Sequence, residues 1–390
     1  MLLFILGRQP EIGFAELRAV FGREVKLVSR DVAAIDFDKK NAASELSRLG
    51  SVVKVAEVFT TISSLNSDTL AKVTQENFAN VEGKITLGVS LYGERFTVRE
   101  TAKAASELKK VLSRNNSVRL VPNDSSALSS ATVSHNKLAG DNPKKRELIF
   151  AKSDTGEIFV ANTIFVQNIE SYTFRDRSRP RRDARVGMLP PKLAQIIINL
   201  ARGATKNSAE TPVLLDPFCG TGVILQEAAL MNMRVYGTDI EPRMIEYSRT
   251  NLDWLAQKYH REVLAKTEVG DATNYQWQQP IDLVATETYL GRAYTTEPNE
   301  DNLHENIANC NVILTKFLQN LAPQISRNTG LCIAVPCWFA NGRTHHMPLI
   351  AKLAEISYEQ IFYSDTHESL VYHREDQIVG RELLVLRKKS

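Results

Sequence analysis

Residues 214–242, LLDPFCGTGVILQEAALMNMRVYGTDIEP, constrain the fold more than any other stretch of the chain. An apolar strand, Val213–Leu215, ends in Asp216, and Gly220-Thr221-Gly222 then turns into a helical run. Glycines at a strand-to-helix turn let the backbone come very close to a ligand. A second strand ends in Asp239, 23 residues beyond Asp216. A carboxylate about 20 residues after such a turn accepts hydrogen bonds from ribose hydroxyls. The dinucleotide fingerprint needs a third glycine, and Leu225 stands there instead. Asp216, four residues before Gly220, would repel a pyrophosphate and suit a cation such as the ammonium of a methionine moiety. The pattern therefore points to S-adenosylmethionine. Asp271, closing TEVGDAT on the next strand, is expected to accept from the adenine amino group, and Phe218, Thr221, Ile240 and Ala272 complete the expected cofactor set.

From Gly187 onward, five strand-like runs (VLLDPF, RVYGTD, TEVGDA, IDLVATETY and LCIAVPCWF) alternate with helical stretches. That alternation predicts a parallel sheet wrapped by helices. ISYEQIFYSD and GRELLVLRK predict an antiparallel hairpin at its edge. Ahead of this, residues 1–59 read β-α-β-β-α-β, the order of a ferredoxin-like module. Within it, NAASELSRLG predicts a short helix capped by Asn41. Residues 60–166 mix strands with one clear helix, TVRETAKAASELKKVLSR, a polar loop, and a hairpin turning at Asp154-Thr155-Gly156. A chain of 390 residues suits two or three domains of ~150 residues each. With 43% hydrophobic and 24% charged residues, it is not a disordered chain. No apolar run reaches the ~20 residues that span a bilayer, and the opening MLLFIL reads as a buried strand rather than a signal peptide. Four cysteines make no disulfide framework, Cys332 and Cys337 have no second pair at metal-ligand spacing, and His345–His346 reads as a surface pair. A reduced, cytoplasmic protein with no membrane role is expected.

The net charge of +3 says little, but its distribution says more. Residues 172–187, YTFRDRSRPRRDARVG, carry six arginines against two aspartates. The stretch from 167 to 186 reads as an arginine-rich linker. Arg175, Arg177, Arg179, Arg181 and Arg182 are expected to touch phosphates, since arginine pairs with them bidentately. Lys144 and Lys145, and the basic helix bearing Lys103, Lys109, Lys110 and Arg114, would extend that surface.

DPFCGTG, GTDIEP and GDAT resemble the first three motifs of the class I methyltransferases. The wider chain resembles the THUMP-domain tRNA guanosine N2-methyltransferases of archaeal type. The resemblance lies in FILGRQPEIGFAEL at the start, YTFRDRSRPRRDARVGMLPPKLAQIIINLA in the middle and YHREDQIVGRELLVLRK at the end. It is specific from about Ser171 onward. It implies an α/β fold: a Rossmann-like catalytic domain with a seven-stranded sheet over 187–390, preceded by the ferredoxin-like module and a THUMP-like RNA-binding domain over 60–166. It also implies tRNA as partner and, as in some relatives, a small zinc-binding activator subunit.

One motif departs from the family. Its fourth strand ends in a D-P-P-Y-G-like tip that holds the amino group to be methylated, whereas this chain reads DLVATETYLG over 282–291, without proline. Aligning Tyr289 with the family aromatic puts Thr286 at the aspartate position and leaves Glu287 as the carboxylate of the tip. An exocyclic base nitrogen is a poor nucleophile because its lone pair is delocalised. Acceptors around its N–H bonds take up the charge that develops, and an aromatic face holds the base, worth about 1–3 kcal/mol. Glu287 is the expected acceptor, Tyr289 the platform and Thr286 their companion. Cys219 reads as a packing residue of the glycine turn. Two rival readings are a DNA N-methyltransferase and a non-catalytic RNA-binding protein that keeps the cofactor pocket.

Overall fold

The structure, a computed structural model, describes residues 1–37, 45–93, 96–183, 189–206, 210–364 and 367–389. Asn41, Arg185 and the expected boundary at Gly187 lie outside the described residues. The chain divides into two compact units, residues 1–14 with 21–171 and residues 15–20 with 172–390.

The first unit is built on one eight-stranded sheet. Its strands are β1 (Leu2–Leu6), β2 (Lys26–Ser29), β3 (Val32–Ile35), β4 (Val52–Ile62), β5 (Gly83–Tyr92), β6 (Asn116–Leu120), β7 (Lys145–Lys152) and β8 (Ile158–Val166), in the order β2-β3-β1-β4-β8-β7-β5-β6. The period of two is plain in β7. Leu148 and Phe150 join one core cluster with Leu87, Leu108 and Leu112, while Ile149 and Ala151 join another with Leu3, Ile5 and Ala56. Position 59/60 falls inside β4, whose ladder with β8 shifts register between Val58 and Thr60 and then continues to Ile62. The helices are α1 (Pro10–Phe21), whose residues 15–20 are assigned to the second unit, α2 (Ser67–Phe78), α3 (Val98–Leu112) and α4 (Ser130–Asn136). The basic helix is α3, and Thr97 and Glu100 close a capping box at its start. Helix α4 corrects the expected polar loop: Ser129 accepts from the Thr132 amide and starts a helix in a serine-rich stretch.

A charged pair is sealed inside this unit. Lys54 Nζ lies 2.5 Å from Glu147 Oε1 and donates to the Leu128 carbonyl at 2.6 Å. Ser90 and Thr163 hydroxyls donate to the two Glu147 oxygens at 2.5 and 2.6 Å. Both oxygens of the Glu147 carboxylate thus have a donor, as a buried charge requires.

Helix α5 (Ile169–Arg177) belongs to the second unit from Tyr172 onward, and α6 (Pro191–Ala204) follows. Helix α5 replaces the first half of the expected linker. In α6, Pro191 stands in the first turn, where its missing N–H costs nothing. Then follow β9 (Val213–Asp216), α7 (Val223–Leu230), β10 (Arg234–Asp239), α8 (Pro242–Tyr259), β11 (Ala265–Val269), β12 (Leu283–Glu287), α9 (Glu300–Leu321), β13 (Gly330–Ala340), β14 (Arg343–His345), β15 (Tyr358–Gln360), β16 (Leu370–Tyr372) and β17 (Val379–Lys388). The sheet order is β11-β10-β9-β12-β13-β17-β15, with β14 paired to β13 and β16 to β17. Strands β9 to β13 run parallel and β17 antiparallel, as the alternation predicts. The order reverses between β9 and β12, and ligands bind such sheets at that switch point, beyond the carboxyl ends of the strands.

Candidate active site

Three strands deliver carboxylates to the switch point. Asp216 ends β9, Asp239 ends β10 and Glu287 ends β12. All three line one cavity of about 390 Å³, together with Phe218, Gly220, Thr221, Ile240 and Tyr289. The glycine turn shapes its floor. Gly222 has φ +80°, and a Cβ there would stand 2.9 Å from the Ser248 hydroxyl, so only glycine fits both the backbone and the space. The Gly220 amide donates to Asp239 Oδ2 at 2.9 Å, and the Glu241 amide to Oδ1 at 3.0 Å.

Asp216 is the most strained of the three electrostatically. It is buried, accepts from the Thr286 hydroxyl at 2.7 Å and from the Phe218 amide at 3.3 Å, and has no cationic partner among the described residues. Burial pushes its carboxyl up to about 7; the Thr286 and Phe218 hydrogen bonds oppose that, and the charges of Asp239 and Glu287 add to it. Burial also raises Asp239, against the pull of the Glu241 and Gly220 amides. A buried carboxylate with two donors and no cation is the donor set that an ammonium group completes. Asp239 and Glu241 both line the cavity, and carboxylates of this kind suit the hydroxyls of a nucleoside. The residues present therefore fit S-adenosylmethionine at its methionine and ribose ends.

The tip of β12 forms another wall. Tyr289 is 49% exposed and Ile240 63% exposed, so two broad apolar surfaces stand open on the cavity. Glu287 pairs through Oε1 with Arg381 Nε, and both side chains are largely buried. Thr286 corrects its expected placement: it is fully buried, does not line the cavity, and supports Asp216 from behind. Asp271 and Ala272 are also absent from the cavity wall. Asp271 Oδ1 accepts from the Thr273 amide and hydroxyl, at 2.9 and 2.8 Å, and so holds the turn after β11, while Ala272 is buried in the core. Cys219 is buried beside Ser248 and its thiol is pushed well up by burial, in keeping with packing.

The arginine stretch divides in two. Arg175 and Arg179 are buried, which corrects their expected contact with phosphate. Arg175 grips Glu227 of α7 with Nε at 2.6 Å and Nη2 at 3.1 Å, a bidentate pair that ties α5 to the helix behind the glycine turn. Arg177, Arg181 and Arg182 are exposed. Arg181 is held at the pocket by its backbone: Asn251 accepts from its amide, donates to its carbonyl at 2.9 Å, and donates to the Thr221 carbonyl at 2.8 Å. Its guanidinium and that of Arg243, a cavity residue, both lie over the Tyr247 ring, at 5.4 and 5.8 Å. In the first unit Lys144 is exposed and Lys145 half-buried at the start of β7.

Sequence reasoning missed Glu241, Arg243 and Arg381. An acid two residues past Asp239 was a usable signal for the first. Arg381 lies 94 residues from Glu287, and nothing local announces it.

Residues 178–315 match the family described as RMKL-like, methyltransferase domain. The chain is 33% identical over 146 residues to the tRNA (guanine(10)-N2)-dimethyltransferase of Pyrococcus abyssi, covering 36% of this chain and 41% of that protein. It is 36% identical over 153 residues to the protein of the same name from Methanothermobacter thermautotrophicus, covering 38% and 39%. The match thus spans about two fifths of these curated relatives. Among solved structures, TrmN from Thermus thermophilus aligns with TM-score 0.54 at 15% identity over 99% of both chains. The structure of SMU.472 complexed with SAH aligns with TM-score 0.51 at 10% identity, over 100% of this chain and 98% of that one. These likenesses establish the fold, a mixed α/β methyltransferase fold with a Rossmann-like sheet. Among the described residues no helix is long and apolar enough to cross a membrane.

Proposed function

We propose that the protein is an S-adenosylmethionine-dependent RNA methyltransferase acting on the exocyclic N2 amino group of a guanosine in tRNA. The observation that carries this reading is the shared cavity. The glycine turn and its acids, suited to a cationic nucleoside cofactor, and the Glu287–Tyr289 tip, suited to a flat base bearing an amino group, line the same space. The names of the relatives at 33% and 36% identity supply the substrate class. A THUMP-like role for residues 60–166 in holding the tRNA belongs to the same proposal, as does a cytoplasmic location.

When bound, the cofactor supplies an electrophilic methyl group on a sulfonium. Asp216 holds the ammonium of its methionine end and Asp239 the ribose hydroxyls. Ile240, exposed on the cavity, would offer the adenine an apolar surface. Tyr289 stacks the target base, and Glu287 accepts from its amino group as positive charge develops there. Holding the target base in one orientation beside the bound cofactor would supply much of the remaining acceleration. Arg177, Arg181 and Arg182, with Lys144, Lys145 and the basic face of α3, meet phosphates. A base taken out of its stack can enter a cavity of this kind.

The test is to incubate the purified protein with labelled S-adenosylmethionine and unmodified tRNA, then digest and identify the labelled nucleoside. N2-methylguanosine is the expected product. Label in another nucleoside would move the target, label in DNA alone would favour the rival substrate, and cofactor binding without transfer would favour the non-catalytic RNA-binding reading.

A further inference from the structure

Glu287 and Arg381 belong to strands that do not pair, since β13 lies between them. The register explains how they meet. Glu287 stands opposite Ala334, and Arg381 stands opposite Pro336, two residues along β13. Partners across a ladder and residues two apart share a face, so Glu287, Ala334, Pro336 and Arg381 lie on one side of the sheet. Ala334 and Pro336 are short enough for a guanidinium to reach over them. The pair is well enclosed, with side-chain exposures of 12% for Arg381 and 14% for Glu287.

Two further facts make the pair more than an edge contact. Arg381 Nε takes Glu287 Oε1, and no donor among the described residues takes Oε2. Glu287 also shares its cavity with Asp216 and Asp239, so a third negative charge stands beside two others, and Arg381 is its cation. Strand β17 does not depend on the pair, because its ladder with β13 runs unbroken from Gly330 opposite Arg387 to Trp338 opposite Val379.

We propose that Arg381 is the positioning residue for Glu287, anchoring Oε1 so that Oε2 is presented to the amino group of the target base. The proposal rests on Glu287 being the acceptor in the reading above. Arginine suits the task because its Nε–H points in a fixed direction, whereas a lysine ammonium offers charge without that direction. Misplacing a reacting partner by about 1 Å can cost about 10²-fold in rate.

The experiment is a double-mutant cycle on methyl transfer to unmodified tRNA, using the full chain. Wild type, Arg381→Gln, Glu287→Gln and the double variant are compared, with Arg381→Lys as the conservative control. S-adenosylhomocysteine binding is measured by calorimetry for each. Arg381→Gln is expected to lower kcat by about 10²-fold, with KM and S-adenosylhomocysteine affinity within about twofold of wild type. The double variant is expected to be no slower than Glu287→Gln, because the anchor has nothing left to hold. Arg381→Lys is expected to restore part of kcat. Losses that multiply in the double variant, an unchanged kcat in Arg381→Gln, or a loss that follows thermal destabilisation and resists lysine would overturn the role of Arg381 alone. No transfer by the wild type to any nucleoside would overturn the functional reading, and this inference with it.

Discussion

Glu147 in the first unit and Asp216 in the second are both buried carboxylates, 0% and 2% exposed. Their surroundings differ. Glu147 has a lysine at 2.5 Å and two hydroxyl donors, so its charge is met from within the chain. Asp216 has one hydroxyl, one amide and two neighbouring acids, and its carboxyl is pushed up to about 7 by burial. A buried charge that the chain itself satisfies serves the fold. A buried carboxylate left short of a cation either keeps its proton or meets a cation that a ligand supplies. The contrast is more informative than either residue alone, because burial is held nearly constant while the partners change.

Breaking the satisfied pair should give the largest effect. Lys54→Met leaves Glu147 charged and buried without its cation, which costs about 3–5 kcal/mol. A lower midpoint for the first urea transition is the expected result, and Lys54→Met combined with Glu147→Leu should recover much of it. An unchanged midpoint would mean that the pair contributes nothing to the first unit.

Asp216→Asn should behave in the opposite way. Its folded-state pKa lies above the ordinary value, so the ionised form works against folding, and removing the charge should leave stability unchanged or slightly higher. Affinity for S-adenosylmethionine, read by calorimetry, should fall by about 2 kcal/mol, roughly thirtyfold. Full affinity in this variant would remove the ammonium from Asp216.

The smallest effect is in pH. The folded carboxyl releases its proton near 7 and an ordinary aspartate near 3.8. The stability that the protonated form contributes is therefore present below the lower value and is lost as pH rises through this window. Cofactor binding needs the carboxylate, so affinity should weaken as pH falls below about 7, by up to tenfold per pH unit. Asp216→Asn should flatten that slope. A wild-type affinity independent of pH between about 6 and 8 would count against the coupling of this proton to binding.

Much of this contrast could be read from the sequence on one side and none of it on the other. Asp216 and Asp239 sit at strand ends beside a glycine turn, so their spacing alone places them on the cavity, whereas the same reasoning applied to Asp271 fails because that residue holds the turn after β11. The Lys54–Glu147 pair is separated by 93 residues and the Arg381–Glu287 pair by 94, and such pairings depend on strand order, which local periodicity does not report. The arginine stretch shows a subtler failure. Its composition is that of a solvated linker, yet α5 forms there because Arg175 finds Glu227 on α7, a partner that only the folded unit presents. Helix α4 was hidden for a local reason, since serines favour both loops and helix caps. Thr286 was legible as a member of the strand tip, but its direction was not, because a shift of one residue exchanges the two faces of a strand.

Asn251 joins two parts of the second unit through a single side-chain amide. It binds the backbone of Arg181 on one side and the carbonyl of Thr221, in the glycine turn, on the other. Order imposed at either end is therefore felt at the other. A ligand that stiffens the turn lowers the entropic cost of fixing residue 181, and whatever fixes residue 181 returns the same free energy to the turn, since linkage between two sites is reciprocal.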